Sequence, residues 1–128
     1  MTLDRPDNYN ERLHYLVAKY VMGWELKHIQ EGCPNYTDYG MWWHYLTFPY
    51  KHKSWWRPTH EDGDTEEVLK RLHKLGYDVH IVRFAESHYW ECIIHIPAGL
   101  SFTARHKIRG HAICLAACLA VGLKVTTC

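Results

Sequence analysis

Ala112 to Leu123 is the stretch that most limits what this chain can fold into, because its 12 residues carry no charge. A membrane span needs ~20 apolar residues, so the run predicts a helix inside a soluble protein. That helix is expected from about Lys107 to Val121. Ile113, Ala116, Ala117 and Ala120 lie among small residues that let a backbone approach a sheet closely, and Gly122 is a natural stop. Gly110 within it costs about 1 kcal/mol relative to Ala, so the first turn is expected to be irregular.

Two other segments have helical period. Between about Asn10 and Met22, the residues Leu13, Leu16, Val17, Tyr20 and Val21 recur on one face, before Gly23. From about Thr65 to Leu75, Val68, Leu69, Leu72 and Leu75 form a stripe that opens on acidic residues and closes at Gly76. Strands are expected at Trp24 to Ile29, Met41 to Leu46, Tyr77 to Ala85, His88 to Ile96 and Ser101 to Arg105. In the fourth of these, Trp90, Cys92, Ile94 and Ile96 share a face opposite Glu91 and His95. The stretch from Thr47 to Gly63 shows no period and reads as a functional or mobile loop. A length of 128 residues fits one domain, residues 1–128. The expected class is α+β: a mainly antiparallel sheet with helices on both faces, an α/β/α sandwich.

Charge is balanced, with 15 Lys+Arg against 14 Asp+Glu, so any anion site must be local. The N-terminus has no apolar stretch of signal type, and five Cys without a C-x-x-C pair argue against a disulfide framework. A reducing cytoplasm is expected. Six Trp, nine Tyr and three Phe exceed what a small core needs, and flat rings are economical binding surfaces.

The densest chemistry is Arg105, His106, Lys107 and Arg109, expected where the last helix begins. A helix N-terminus is already partly positive, so cations crowded there fit an anion guest such as phosphate. The alternative is that they pair with Asp62, Asp64, Glu66 or Glu67. Trp43, or Trp55 and Trp56 beside Arg57, could stack on a base; a subunit interface explains the same Trp pair equally well. His111, Cys114 and Cys118 share a helix face that could present zinc ligands, but buried small residues explain them better, and neither metal nor cofactor is expected. No nucleophile elbow or P-loop is present. His52-Lys53-Ser54 is half of a two-histidine phosphodiesterase pattern, and His80 with His95 could form an acid/base couple. A net charge of +1 gives no basic stripe for extended nucleic acid.

The pieces Leu16-Val17-Ala18-Lys19-Tyr20-Val21-Met22-Gly23-Trp24, Trp42-Trp43, Gly76-Tyr77-Asp78-Val79, Trp90-Glu91-Cys92 and His111-Ala112-Ile113-Cys114-Leu115-Ala116-Ala117 occur in the order, and largely with the residues, of one family. In them the chain resembles the phage ABA-sandwich domain family. That architecture is similar to the Thoeris anti-defence sponges, oligomeric phage proteins that sequester cyclic ADP-ribose isomers and, in some members, cyclic oligonucleotides. The resemblance implies a non-enzymatic homo-oligomer in the cytoplasm of an infected bacterium, holding a small nucleotide signal without turnover. The family segment before the last helix is acidic and small, whereas here Thr103 to Arg109 is basic, a reversal of sign that implies either an anion specificity of its own or drift of the surface. The expected ligand residues are Arg105, His106, Lys107, Arg109, Trp43, Trp55, Trp56 and Arg57. Two other functions compete: an inhibitor that docks on a host enzyme through aromatic side chains, and a His-dependent phosphodiesterase.

Overall fold

A computed structural model describes residues 12–29, 40–45, 48–52 and 56–123, with side chains described for 12–25 and 56–123. Helix α1 covers residues 12–21 and closes in a π-turn, Val17–Val21, where Met22 N–H reaches Val17 O at 2.9 Å. Leu13, Val17, Ala18 and Val21 form its buried face. Strands β1 (Glu25–Ile29), β2 (Gly40–Tyr45) and β3 (Phe48–His52) pair antiparallel in that order, with a register shift between Trp43 and His44. The loop expected at Thr47 to Gly63 therefore contains a strand. Pro49 lies in β3 at the edge of its sheet, the position where a residue lacking an N–H is tolerated.

Helix α2 (Asp62–Lys74) leads through Gly76 into β4 (Asp78–Phe84), β5 (Tyr89–His95) and β6 (Ser101–His106), a second antiparallel sheet in chain order. Among the described residues, the six strands thus form two three-stranded sheets rather than one. Gly76, at φ +84°, donates to His73 O while Tyr77 N–H reaches Leu72 O, the left-handed stop that its position after the apolar stripe predicts. Alternation along β4, β5 and β6 sends Val79, Ile81, Trp90, Cys92, Ile94, Phe102 and Ala104 inward. The opposite face carries exposed Val82, Phe84 and Tyr89.

Helix α3 (Arg109–Ala120) is buried almost all round, from Gly110 through Cys118. It packs against β5 and β6 and also against α1 and α2, which explains why it is apolar on every side. Gly110 has a specific reason: a Cβ there would lie 2.5 Å from Pro58 O and 2.6 Å from Thr59 O. The turn before α2 rests directly on the first turn of α3. Thr65 Oγ1 secures that turn by donating to Pro58 O at 2.6 Å, and Arg71 Nε donates to Val21 O at 2.9 Å, tying α2 to the end of α1. Antiparallel sheets with three helices make the class α+β, consistent with a sandwich.

Candidate functional site

Register builds the site. On β5 and β6, Glu91 lies directly opposite Arg105 and Trp90 opposite His106. Because successive side chains alternate between faces, Tyr89, Glu91, Thr103 and Arg105 stand together on the outer face. Arg105 Nε bonds Glu91 Oε2 at 2.7 Å, with 63% of the arginine side chain exposed against 13% of the glutamate. Its guanidinium carbon lies 5.3 Å from the Phe84 ring centroid. The cation is therefore held from two neighbouring strands before any ligand arrives. Beside it opens a cleft of about 770 Å³, walled in part by Ser87, Tyr89, Glu91, Arg105, His106 and Lys107.

His106 turns the chain from β6 into α3. Its Nδ1 accepts the Ile108 N–H at 3.0 Å, and its ring stacks on His111 with centroids 3.7 Å apart. Burial, then His60 and Lys107, lower its pKa, so a neutral ring is favoured. His111 is pushed down to about 4 by burial first, then by His106 and His60. Behind this pair, the Thr59 hydroxyl lies 2.7 Å from His14 Nε2 and 2.6 Å from His60 Nδ1. Four histidines from α1, the 56–60 turn, β6 and α3 thus meet around the base of α3.

Three of the expected ligand residues, Arg105, His106 and Lys107, come together at the cleft. They do so as the end of a strand and a turn: pairing with β5 continues through His106, so α3 starts at Arg109, with Lys107 just before its cap residue Ile108, and of the expected cations Arg105 belongs to the strand rather than to the helix start. Arg109 instead faces α2, with Nη2 3.6 Å from Glu66 Oε2, and is not part of the cleft wall. Arg57 is exposed on the turn before α2, where its backbone N–H donates to Asp64 Oδ2 at 2.8 Å. Trp56 departs from expectation altogether. It is fully buried, edge-on to Trp24 at 4.7 Å, and donates Nε1–H to Glu67 Oε1 at 3.2 Å, so its faces offer no stacking platform. Trp43 pairs with Leu26 and Lys51 in β2, and its side chain lies outside the described residues, as does Trp55 altogether.

Tyr89, Glu91, Ser87 and Thr103 are not among the expected ligand residues, although the alternation of β5 already sets Glu91 on the outer face. Cys114 and Cys118 are core residues whose thiols burial pushes up, Cys118 to about 12. Among the described residues no three of His, Cys, Asp or Glu converge as metal ligands, and no helix is long and apolar enough to cross a membrane.

An α+β sandwich with an open cleft at a sheet edge is the class of protein that these features define. Within it, the profile of the phage ABA sandwich domain matches residues 15–118, and the chain belongs to that family. It is similar in fold to a phage protein from Bacillus cereus known from its crystal structure, at 18% identity, with 91% of each chain covered and a TM-score of 0.61. No curated protein matches the chain.

Proposed function

We propose that the protein is a non-enzymatic phage binding protein that captures a small phosphate-bearing nucleotide in the cleft between β5, β6 and the turn at Lys107. Arg105, held in place by Glu91 and Phe84 at the mouth of that cleft, is the observation that carries the reading. Its terminal nitrogens and the exposed Lys107 ammonium present donors to a phosphate, an arrangement favoured by charge-assisted hydrogen bonding. The hydroxyls of Ser87 and Thr103 suit the hydroxyls of a sugar. Tyr89 offers a ring for a base, a contact worth about 1–3 kcal/mol. Fixing the cation beforehand lowers the ordering cost of binding.

The ligand class in this proposal is a cyclic ADP-ribose isomer or a cyclic oligonucleotide, held by a homo-oligomer as an anti-defence device. The test is calorimetric titration with ADP-ribose, cyclic ADP-ribose and a cyclic dinucleotide, followed by chromatography of the ligand released on denaturation. A saturable isotherm that Lys107→Ala and Tyr89→Ala weaken, with the ligand recovered intact, supports the reading. Degraded ligand means an enzyme, and an unchanged isotherm in both folded variants removes the cleft from consideration. A second reading rests on the exposed Val82, Phe84 and Tyr89, which suit docking on a host enzyme; it predicts no thermal shift with any nucleotide.

A further inference from the structure

Away from the cleft, the outer face of the β4–β6 sheet carries a second group of polar side chains. Asp78, His95 and Ser101 lie in one row, directly opposite each other across β4, β5 and β6, and all three are exposed. His80 stands two residues beyond Asp78 on the same face of β4. The rings of His80 and His95 approach to 5.3 Å between centroids, with planes at 78°.

That separation fits two imidazoles on one metal ion. A nitrogen ligand at about 2.0–2.1 Å puts the metal about 3.2 Å from its ring centroid, so two rings on a tetrahedral ion have centroids about 5.2 Å apart. We propose that His80 and His95 bind one divalent ion of the zinc, nickel or copper class at the face of the sheet. Imidazole suits these ions, whereas magnesium and calcium select oxygen ligands. Ser101 Oγ lies 2.6 Å from His95 Nδ1. It accepts from Nδ1–H when Nε2 holds the metal, the outer contact that orients a metal-bound histidine. The Asp78 carboxylate beside His95 supplies negative charge next to the incoming cation. With no third His, Cys, Asp or Glu converging among the described residues, water fills the remaining positions and they stay exchangeable.

The experiment titrates the whole protein with zinc alone in a non-chelating buffer, and with copper followed by electron paramagnetic resonance. One ion bound per chain is expected, with two nitrogen donors in the copper spectrum. His80→Ala and His95→Ala each weaken binding by about tenfold or more, the double variant is little worse than either, and Ser101→Ala weakens it less. The three substituted positions are exposed, so the fold is retained and circular dichroism checks it. Failure to take up one equivalent, wild-type binding in His80→Ala and His95→Ala, or loss of binding only when His106 or His111 is replaced would each overturn the site.

Discussion

The imidazole of His111 lies flat against that of His106, their planes within 5° and their centroids 3.7 Å apart. Two such rings stack well when neutral and repel when both are charged. His106 is also constrained chemically: its Nδ1 accepts from Ile108 N–H, a bond that a proton on Nδ1 would break. The pair therefore joins the turn carrying Lys107 to the first turn of α3, and it does so in its neutral state.

Acid should loosen this junction. His14 and His111 are held near 4, against an ordinary imidazole value of 6.5, by burial first and then by neighbouring His60, Arg57 and His106. A folded-state value below the unfolded one means that the unfolded chain takes up protons first as pH falls. Stability is then present in full above about 6.5 and is lost progressively down to about 4. Each ring contributes on the order of 2 kcal/mol after allowance for partial hydration, less than additively because the two are coupled. Thermal unfolding between pH 7 and pH 4 is expected to show a falling Tm. His14→Gln, which keeps a partner for Thr59 without titrating, should show a shallower fall.

Gly110→Ala is expected to destabilise the protein although Ala is the better helix former. The added methyl would meet the carbonyl oxygens of Pro58 and Thr59, which are backbone and cannot swing aside. A net loss of about 1–3 kcal/mol should appear in denaturant unfolding. Gly63 provides the contrast. It lies in the first turn of α2, and no atom comes within 4 Å of where its Cβ would stand, so Gly63→Ala should be neutral or stabilising by up to about 1 kcal/mol.

These two glycines also show where local pattern stops being informative. The stripe of α2 and the alternation of β4 and β5 are local, and those elements appear close to where they are expected. The purpose of Gly110 depends on a turn about fifty residues earlier in the chain, and His14 meets Thr59 across 45 residues. Neither contact has a sequence signature. Pro49 and the absence of alternation in Phe48–His52 hide strand β3 from any reading of period. A basic run before α3 resembles a helix entrance, whereas pairing with Trp90 keeps His106 in the sheet and delays the helix to Arg109. Trp56 looks exposed among basic and polar neighbours, and only distant Trp24 reveals it as core.

Replacement of Trp56 is accordingly a test of packing. Trp56→Ala should cost about 3–5 kcal/mol, the range for removing a buried large aromatic. Glu67→Gln keeps an oxygen acceptor for the indole N–H and should cost less than about 1 kcal/mol. In the wild type, the fluorescence lost on Trp56→Phe should be a blue-shifted component that acrylamide quenches poorly.

The basic segment can be separated into residues that serve the cleft and one that does not. Arg109 faces Glu66 on α2 across 3.6 Å, a half-exposed pair whose loss costs little. Under the proposed function, Arg109→Ala should leave nucleotide affinity within about twofold of wild type. Lys107→Ala removes one charge-assisted contact, worth about 1.5–3 kcal/mol, and should weaken binding by about 10- to 100-fold. Arg105→Ala should be the most damaging of the three, because it also leaves the largely buried Glu91 carboxylate without its cation, facing the incoming phosphate. Replacing Glu91 as well should recover part of that loss, since the repulsion goes with the carboxylate. Calorimetry on the four variants at low and moderate salt would measure this ranking. An Arg109 effect as large as that of Lys107 would show that the phosphate lies at α3 rather than in the cleft.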